Sequence, residues 1–179
     1  MVCYTPWAWF QKRLVQRYGL GGSVTRSTVM QNEPMLVLLV EDNPDHAELV
    51  IRNLAEHPVP NQVIHLTHGQ AALDYLLRRE DYANAALSPR PHIILLDLRL
   101  PRVDGLQVLQ VIKTSESLRQ IPVIVLTTSD TEQDSTRAYY NHANSYLVKP
   151  LGYEQFRKLI QDIGFYWLSQ NKPPHLENV

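Results

Sequence analysis

LVLLVEDNP, residues 36–44, is the stretch that decides the fold class of this chain. Five apolar residues in a row, at 36–40, have the length of a strand that is buried on both faces. Two acids follow at once, Glu41 and Asp42, and Asn43 with Pro44 then provides an N-cap and a first-turn proline. The stretch therefore predicts a buried strand, a polar turn and a helix, in that order.

The same alternation continues along the chain. Short apolar runs predict four further strands, at residues 63–66, 93–96, 123–126 and, more weakly, 146–148. Helical spacing of apolar residues predicts five helices, which begin near residues 44, 69, 105, 130 and 153, and the second of them is predicted to end at residue 79. Strands that alternate with helices form a parallel sheet with right-handed crossovers. We therefore expect an α/β fold, a doubly wound sheet of five parallel strands with five helices.

Length and composition limit the classes of function. The chain has 179 residues and a formal net charge of −1, which is one domain's worth of sequence without the basic face that duplex DNA binding needs. The single cysteine, Cys3, cannot form an internal disulfide, and no apolar run approaches the roughly 20 residues of a membrane span. We expect a cytoplasmic protein that binds neither nucleic acid nor membranes.

A change of composition near residue 33 indicates a domain boundary. The segment before it carries four basic residues and one acid, whereas the remainder is acidic overall. We expect an N-terminal extension at 1–33, one domain at 34–168 and a tail at 169–179. An apolar helical face early in the extension would suit a membrane surface or a partner protein. Glycines within residues 19–22 break such a helix, so we favour a disordered extension or a start codon placed too far upstream, with Met30 or Met35 as the natural start.

Polar residues follow the predicted strands at the edge where open α/β sheets bind ligands. They are Glu41 and Asp42 after the first strand, Asp97 after the third, Thr127 after the fourth and Lys149 after the fifth. Three carboxylates at one edge repel one another and need a cation to remain ionised. Mg²⁺ prefers such oxygen ligands, here Asp42, Asp97, Glu41 through a water molecule, and a backbone carbonyl beside Asp97.

This set of residues predicts phosphoryl transfer to a carboxylate. In-line attack by Asp97 on a phosphoryl group would give an aspartyl phosphate. Mg²⁺ and Lys149 would neutralise the charge on the equatorial oxygens, while the Thr127 hydroxyl donates a hydrogen bond to one of them. The reaction requires no general base.

Four motifs together resemble the receiver domains of bacterial response regulators, over about residues 35–168. They are VEDN at 40–43, LLD at 95–97 with Pro101 and Asp104-Gly105, LTT at 126–128, and VKP at 148–150. The resemblance implies a flavodoxin-like strand order 2-1-3-4-5. It also implies that Asp97 is the phosphoacceptor and that Glu41 and Asp42 are the acidic metal pair.

The same resemblance implies further roles in the site. The Arg99 backbone carbonyl would be a metal ligand, Thr127 and Lys149 would be switch residues, and Tyr146 would be the aromatic side chain that moves on activation. The resemblance also implies a cis Lys149–Pro150 peptide bond. Family geometry places Arg99 and Ser129 beside the route by which water reaches the phosphoryl group.

Two segments resemble the single-domain regulators of cyanobacterial phytochromes. One is the extended segment at 78–91, and the other is the ending FYWL at 165–168 before two prolines. This resemblance implies a histidine kinase of phytochrome type as phosphodonor and a homodimer formed through the last helices and strand. No output domain follows residue 168, so we expect signalling through protein contacts rather than turnover as an enzyme.

Each assignment has a simpler alternative. A single aspartate after a strand is more often a helix cap, a single lysine is more often a surface residue, and a tyrosine is more often part of the core. The combination of residues argues against these readings. A phosphatase of the haloacid dehalogenase type would need a second acid where this chain has Arg99. A degenerate receiver would lack one of the site residues, and none is missing. The seven histidines show no metal-ligand spacing, and we interpret them as surface or packing residues.

Overall fold

The computed structural model describes residues 34–172, and the predicted extension at 1–33 and the end of the predicted tail lie outside the described residues. Five strands form one sheet: β1 (Met35–Val40), β2 (Asn61–Leu66), β3 (Ile93–Leu96), β4 (Val123–Thr127) and β5 (Ser145–Val148). All neighbouring strands are parallel, in the order β2-β1-β3-β4-β5. The predicted fold class and strand order are confirmed.

Five α-helices connect and cover the strands: α1 (Pro44–Ala55), α2 (Gly69–Leu76), α3 (Gly105–Thr114), α4 (Glu132–Tyr140) and α5 (Tyr153–Gly164). The predicted cap of α1 is present, because Asn43 Oδ1 accepts hydrogen bonds from the backbone N–H groups of Asp45 and His46. Helix α2 ends earlier than the predicted residue 79. Arg78 has a φ of 54°, a left-handed conformation that stops a helix.

The core has two layers because alternate strand residues point to opposite faces of the sheet. Leu38 and Val40 of β1 pack in one layer with residues of α2 and α3, including Leu76 and Leu109. Val37 and Leu39 pack in the other layer with residues of α1 and α5, including Val50, Leu54, Phe156 and Ile160. Both faces of β1, β3 and β4 are buried, which explains the continuous apolar runs of these three strands.

The segment between α2 and β3 is attached to the core by two tyrosines. The buried Tyr75 hydroxyl donates a 2.6 Å hydrogen bond to the Pro89 carbonyl oxygen. The Tyr75 and Tyr82 rings pack edge to face, with centroids 5.4 Å apart. Tyr82 ends a short 3₁₀ turn, Glu80–Tyr82. The segment is therefore packed against α2 at both of these points.

Helix α5 continues into a π-helical segment, Phe165–Gln170. Leu168 is buried in the second core layer, whereas Phe165 and Tyr166 are 61% and 55% exposed. The domain thus buries only part of the predicted aromatic run. Within residues 34–172, no helix has the length and apolar character that crossing a bilayer requires.

Candidate phosphoryl-transfer site

A buried lysine bridges two carboxylates at the carboxyl edge of the sheet. The Nζ atom of Lys149 lies 2.5 Å from Glu41 Oε2 and 2.6 Å from Asp97 Oδ2. Glu41, Asp97 and Lys149 are 1%, 5% and 4% exposed. These residues follow three different strands, so the fold brings together groups that are up to 108 positions apart in sequence.

The strand ladders continue one residue beyond the strands and fix this geometry. The backbone N–H of Glu41 donates to Leu66 O, that of Asp97 to Val40 O, and that of Lys149 to Thr127 O, at 3.0, 3.0 and 2.7 Å. Each residue therefore takes its direction from the pleat of the sheet.

Glu41, Asp42 and Asp97 form the predicted acidic cluster. One carboxylate oxygen from each lies within 4.8 Å of the others, with Glu41 and Asp97 buried and Asp42 exposed. Burial raises the pKa of the Glu41 carboxyl, and the positive charge of Lys149 opposes that rise. Three oxygen ligands, one of them open to solvent, fit a hard divalent cation that retains water molecules.

Thr127 and Tyr146 both contact the turn that follows β4. The buried Thr127 Oγ1 accepts a 3.3 Å hydrogen bond from the Ser129 backbone N–H. The Tyr146 hydroxyl donates a 2.9 Å hydrogen bond to the Ser129 carbonyl oxygen. Thr127 and Tyr146, which are both predicted to take part in the switch, therefore hydrogen-bond to the same residue, Ser129. Their roles as switch residues stay a prediction.

The expected cis bond between Lys149 and Pro150 is wrong, because residues 34–172 contain no cis peptide bond. The lysine reaches both carboxylates from a trans peptide, since its direction is set by the ladder hydrogen bond to Thr127.

Arg99 connects the site to α4. Its backbone N–H donates a 3.1 Å hydrogen bond to Asp97 Oδ1, and its Nη2 atom lies 2.5 Å from Asp134 Oδ2. The Ser129 hydroxyl donates a 2.5 Å hydrogen bond to the same Asp134 oxygen. Hydrogen bonding from Ser129, together with the charge of Arg99, holds the pKa of Asp134 below its usual range. The predicted use of the Arg99 carbonyl as a metal ligand stays a prediction.

Sequence reasoning missed Asp134 and His46. Asp134 lies in the first turn of α4, where an acid is expected for local capping alone, so the sequence carries no signal of its long-range partner. His46 packs edge to face on Phe156, as a packing residue would. Its Nδ1 atom also lies 3.4 Å from both Glu41 Oε1 and Lys149 Nζ, which places it at the edge of the site.

Comparisons with known proteins agree with this architecture. The family model of the response regulator receiver domain matches residues 37–161. A probable methanogenesis regulatory protein of Methanothrix harundinacea, FilR2, is 47% identical over 142 residues, which cover 79% of this chain and 89% of that protein. The response regulator Rcp1 of Synechocystis is 42% identical over 137 residues, with 76% and 91% covered.

Solved structures show the same relationship. The Mn²⁺-bound form of Rcp1 superposes with a TM-score of 0.76 at 40% identity. The phosphorylated cyanobacterial phytochrome response regulator RcpA superposes with a TM-score of 0.76 at 39% identity. In both cases the match covers 79% of this chain and 99% of the other. The resemblance to these regulators that the motifs predicted is confirmed.

Proposed function

Because the chain belongs to the family of response regulator receiver domains, we propose that it accepts a phosphoryl group on Asp97 from a histidine kinase and signals through altered protein contacts. One observation carries the proposal. Lys149 Nζ, which can neutralise a phosphoryl oxygen, lies 2.6 Å from the carboxylate that would receive the group.

The transfer needs one bond to form and one to break. A lone pair of the Asp97 carboxylate forms an O–P bond as the bond between phosphorus and the donor's imidazole nitrogen breaks, and that nitrogen takes the electron pair and a proton from solvent. With acetyl phosphate as donor, the P–O bond breaks and acetate leaves. Lys149 remains protonated and holds one phosphoryl oxygen, while the Thr127 hydroxyl donates to another.

Glu41, Asp42 and Asp97, with the Arg99 carbonyl, would hold Mg²⁺, which supplies positive charge against the transferred group. Two observations support this assignment: the cluster of three carboxylates in the chain itself, and the Mn²⁺-bound form of its relative Rcp1. Burial of Glu41 in the absence of a second cation is costly, because Lys149 supplies one positive charge for two carboxylates.

The message would leave the site through the turn after β4. Thr127 and Tyr146 both hydrogen-bond to Ser129, and Ser129 in turn contacts Asp134 of α4. A phosphoryl group that draws the Thr127 hydroxyl toward itself would change both of these contacts. Helix α4 and its neighbour β5 would then present a different surface to partners.

We assign a phytochrome-type histidine kinase as the donor and a homodimer as the assembled form. The phytochrome assignment is supported by the similarity to RcpA, a phytochrome response regulator, over 99% of that chain. The homodimer is supported by the exposed Phe165 and Tyr166 at the end of the last helix, since contiguous exposed aromatic residues mark interfaces.

The experiment is labelling by acetyl phosphate with and without Mg²⁺. We expect an acyl phosphate on the wild type only when Mg²⁺ is present, and none on Asp97→Asn. Asp130→Asn is a matched control, because Asp130 is an exposed aspartate in the turn after β4 and is not part of the acidic cluster. Undiminished, acid-stable labelling of Asp97→Asn would contradict the assignment.

A further inference from the structure

Asp134 is a buried carboxylate for which the proposed phosphoryl transfer gives no role. Its Oδ2 atom accepts from Arg99 Nη2 and from the Ser129 hydroxyl, both at 2.5 Å. Its backbone N–H donates to the hydroxyl of Thr131, the cap residue of α4. The backbone of Asp134 is thus held at the start of its own helix, while the two partners of its carboxylate come from the turns after β3 and β4.

Both partners of Asp134 also contact residues of the site. The backbone N–H of Arg99 donates to Asp97 Oδ1, and the backbone N–H of Ser129 donates to Thr127 Oγ1. Asp134 is therefore linked to Asp97 through Arg99 and to Thr127 through Ser129.

The Arg99 guanidinium would have two competing anions once Asp97 is phosphorylated. Asp134 is nine-tenths buried and offers a single negative charge, whereas the Arg99 side chain is long, flexible and 58% exposed. A phosphoryl group on Asp97 carries close to two negative charges and oxygens that suit the fork of a guanidinium. While its Nη2 atom is paired with Asp134, Arg99 cannot present both of its Nη groups to those oxygens.

We propose that Asp134 is a positioning residue that holds Arg99 away from the phosphoryl group and so shortens the lifetime of the aspartyl phosphate. The inference rests on the proposed function. In hydrolysis, a water oxygen forms a bond to phosphorus, the bond between phosphorus and the Asp97 oxygen breaks, and the carboxylate is restored. The products are free inorganic phosphate and a proton that passes to solvent or phosphate. An Arg99 guanidinium placed across the phosphoryl oxygens obstructs the approach of that water.

The test compares the decay of the aspartyl phosphate in four variants with that in the wild type, after removal of the donor and at saturating Mg²⁺. They are Asp134→Asn, Arg99→Met, the double variant, and the control Glu132→Gln. Glu132 is an exposed acid in the same helical turn, so its variant has the same change in charge without the pair. We expect Asp134→Asn to slow decay roughly two- to fivefold, the range of a solvent-accessible ion pair. Glu132→Gln should decay like the wild type.

The double variant separates positioning from a merely structural role. We expect it to decay at the rate of Arg99→Met, because the inference has Asp134 act on decay through the guanidinium and not through its contact with Ser129. Unchanged or faster decay in Asp134→Asn, or equal slowing with and without Arg99, would overturn the inference. A wild type that takes up no phosphoryl group would overturn the proposed function as well, so the two failures are distinguishable.

A measurement on the wild type keeps the inference testable if Asp134→Asn does not fold. NMR signals of the Arg99 guanidinium and of the Asp134 carboxyl carbon are followed as Mg²⁺ and beryllofluoride, which stands in for the phosphoryl group, are added. We expect both signals to shift together as the pair breaks. Signals that stay unchanged at saturation, while signals of Thr127 move, would overturn the inference.

Discussion

The Nζ atom of Lys149 lies 2.6 Å from Asp97 Oδ2, so the proposed phosphoacceptor is paired with a buried cation when no phosphoryl group is present. The same nitrogen lies 2.5 Å from Glu41 Oε2. A single buried positive charge therefore pairs with two buried carboxylates. The balance of charge in the site depends on Lys149 more than on any other residue that we describe.

Replacement of Lys149 by Met should destabilise the fold when no divalent cation is present. Two buried carboxylates would lose their partner, at a cost of about 3–5 kcal/mol in the free energy of unfolding. Urea denaturation in a chelating buffer measures the loss, and addition of Mg²⁺ should recover part of it. Lys158→Met, at an exposed position of α5, is the control. Equal stability of the two variants would contradict the buried pairing.

Thr127→Ala and Lys149→Ala should uncouple phosphorylation from its readout. Under the proposed function both groups would contact the phosphoryl oxygens after transfer, so their loss should weaken the conformational response more than the uptake of the group. The measurements are the phosphoryl level and the binding of a partner or a second copy, in the same samples. A proportional fall of both quantities in each variant would show that the two roles are not separate.

Gly105→Ala should impair the site through the backbone. An added Cβ would lie 2.1 Å from the Asp97 carbonyl oxygen and 2.6 Å from Leu98 Cα, and these are backbone atoms that cannot move alone. We expect a loss of about 1–3 kcal/mol in stability and a fall in the phosphorylation rate of roughly tenfold or more, because Asp97 is displaced.

Gly152→Ala is the matched control for this change. Its added Cβ would meet the far end of the Gln155 side chain, which can turn away. Comparable losses of phosphorylation in the two variants would mean that contact with the Asp97 backbone is not the cause.

The fold could be predicted because β1, β3 and β4 are buried on both faces, which leaves continuous apolar runs such as residues 36–40. The site could be predicted where its residues directly follow those strands. The pair between Arg99 and Asp134 could not, because it joins side chains 35 positions apart and Asp134 also satisfies a local role in the first turn of α4. The predicted end of α2 was wrong because nothing in the sequence indicates that Arg78 adopts a left-handed conformation.

The homodimer should depend on Tyr166 and Trp167, whose rings pack edge to face at 5.2 Å with Tyr166 largely exposed. Sedimentation at tens of micromolar, with and without beryllofluoride, compares the wild type with a Tyr166→Asp/Trp167→Ala double variant, which should be monomeric. Leu87→Asp, at an exposed apolar residue before β3, is the control and should remain dimeric. A monomeric wild type in both states would refute the dimer, and a dimeric double variant would place the interface elsewhere.

Lys113 should make stability depend on pH in the alkaline range. Its ammonium group donates to the carbonyl oxygens of Arg119 and Ile121 and to Asn144 Oδ1, and burial lowers the pKa of Lys113 to about 8. An unfolded lysine titrates near pH ~10.4, so between these values the unfolded chain binds more protons and the free energy of unfolding rises with pH.

The wild type should therefore gain stability relative to Lys113→Met between about pH 8 and pH 10, by an amount on the order of 1 kcal/mol. Urea denaturation at both pH values, with Lys158→Met as the exposed control, measures the difference. The free energy of unfolding of the wild type minus that of Lys113→Met should rise between the two pH values. A difference that stays constant or falls would contradict the assignment.

The hydrogen bonds of the sheet continue into Glu41, Asp97 and Lys149, so the position of these three residues depends on the sheet and not on the helices that cover it. Asp97, the proposed nucleophile, and Lys149 are held by the sheet itself, whereas the surfaces proposed to carry the signal belong to α4 and to the π-helical segment Phe165–Gln170. Grafting those two surfaces from another regulator onto this frame should therefore redirect the output while the receiving chemistry is retained. The design of new signalling circuits could therefore keep the sheet edge with Asp97 and Lys149 and replace only the surfaces of α4 and of the π-helical segment.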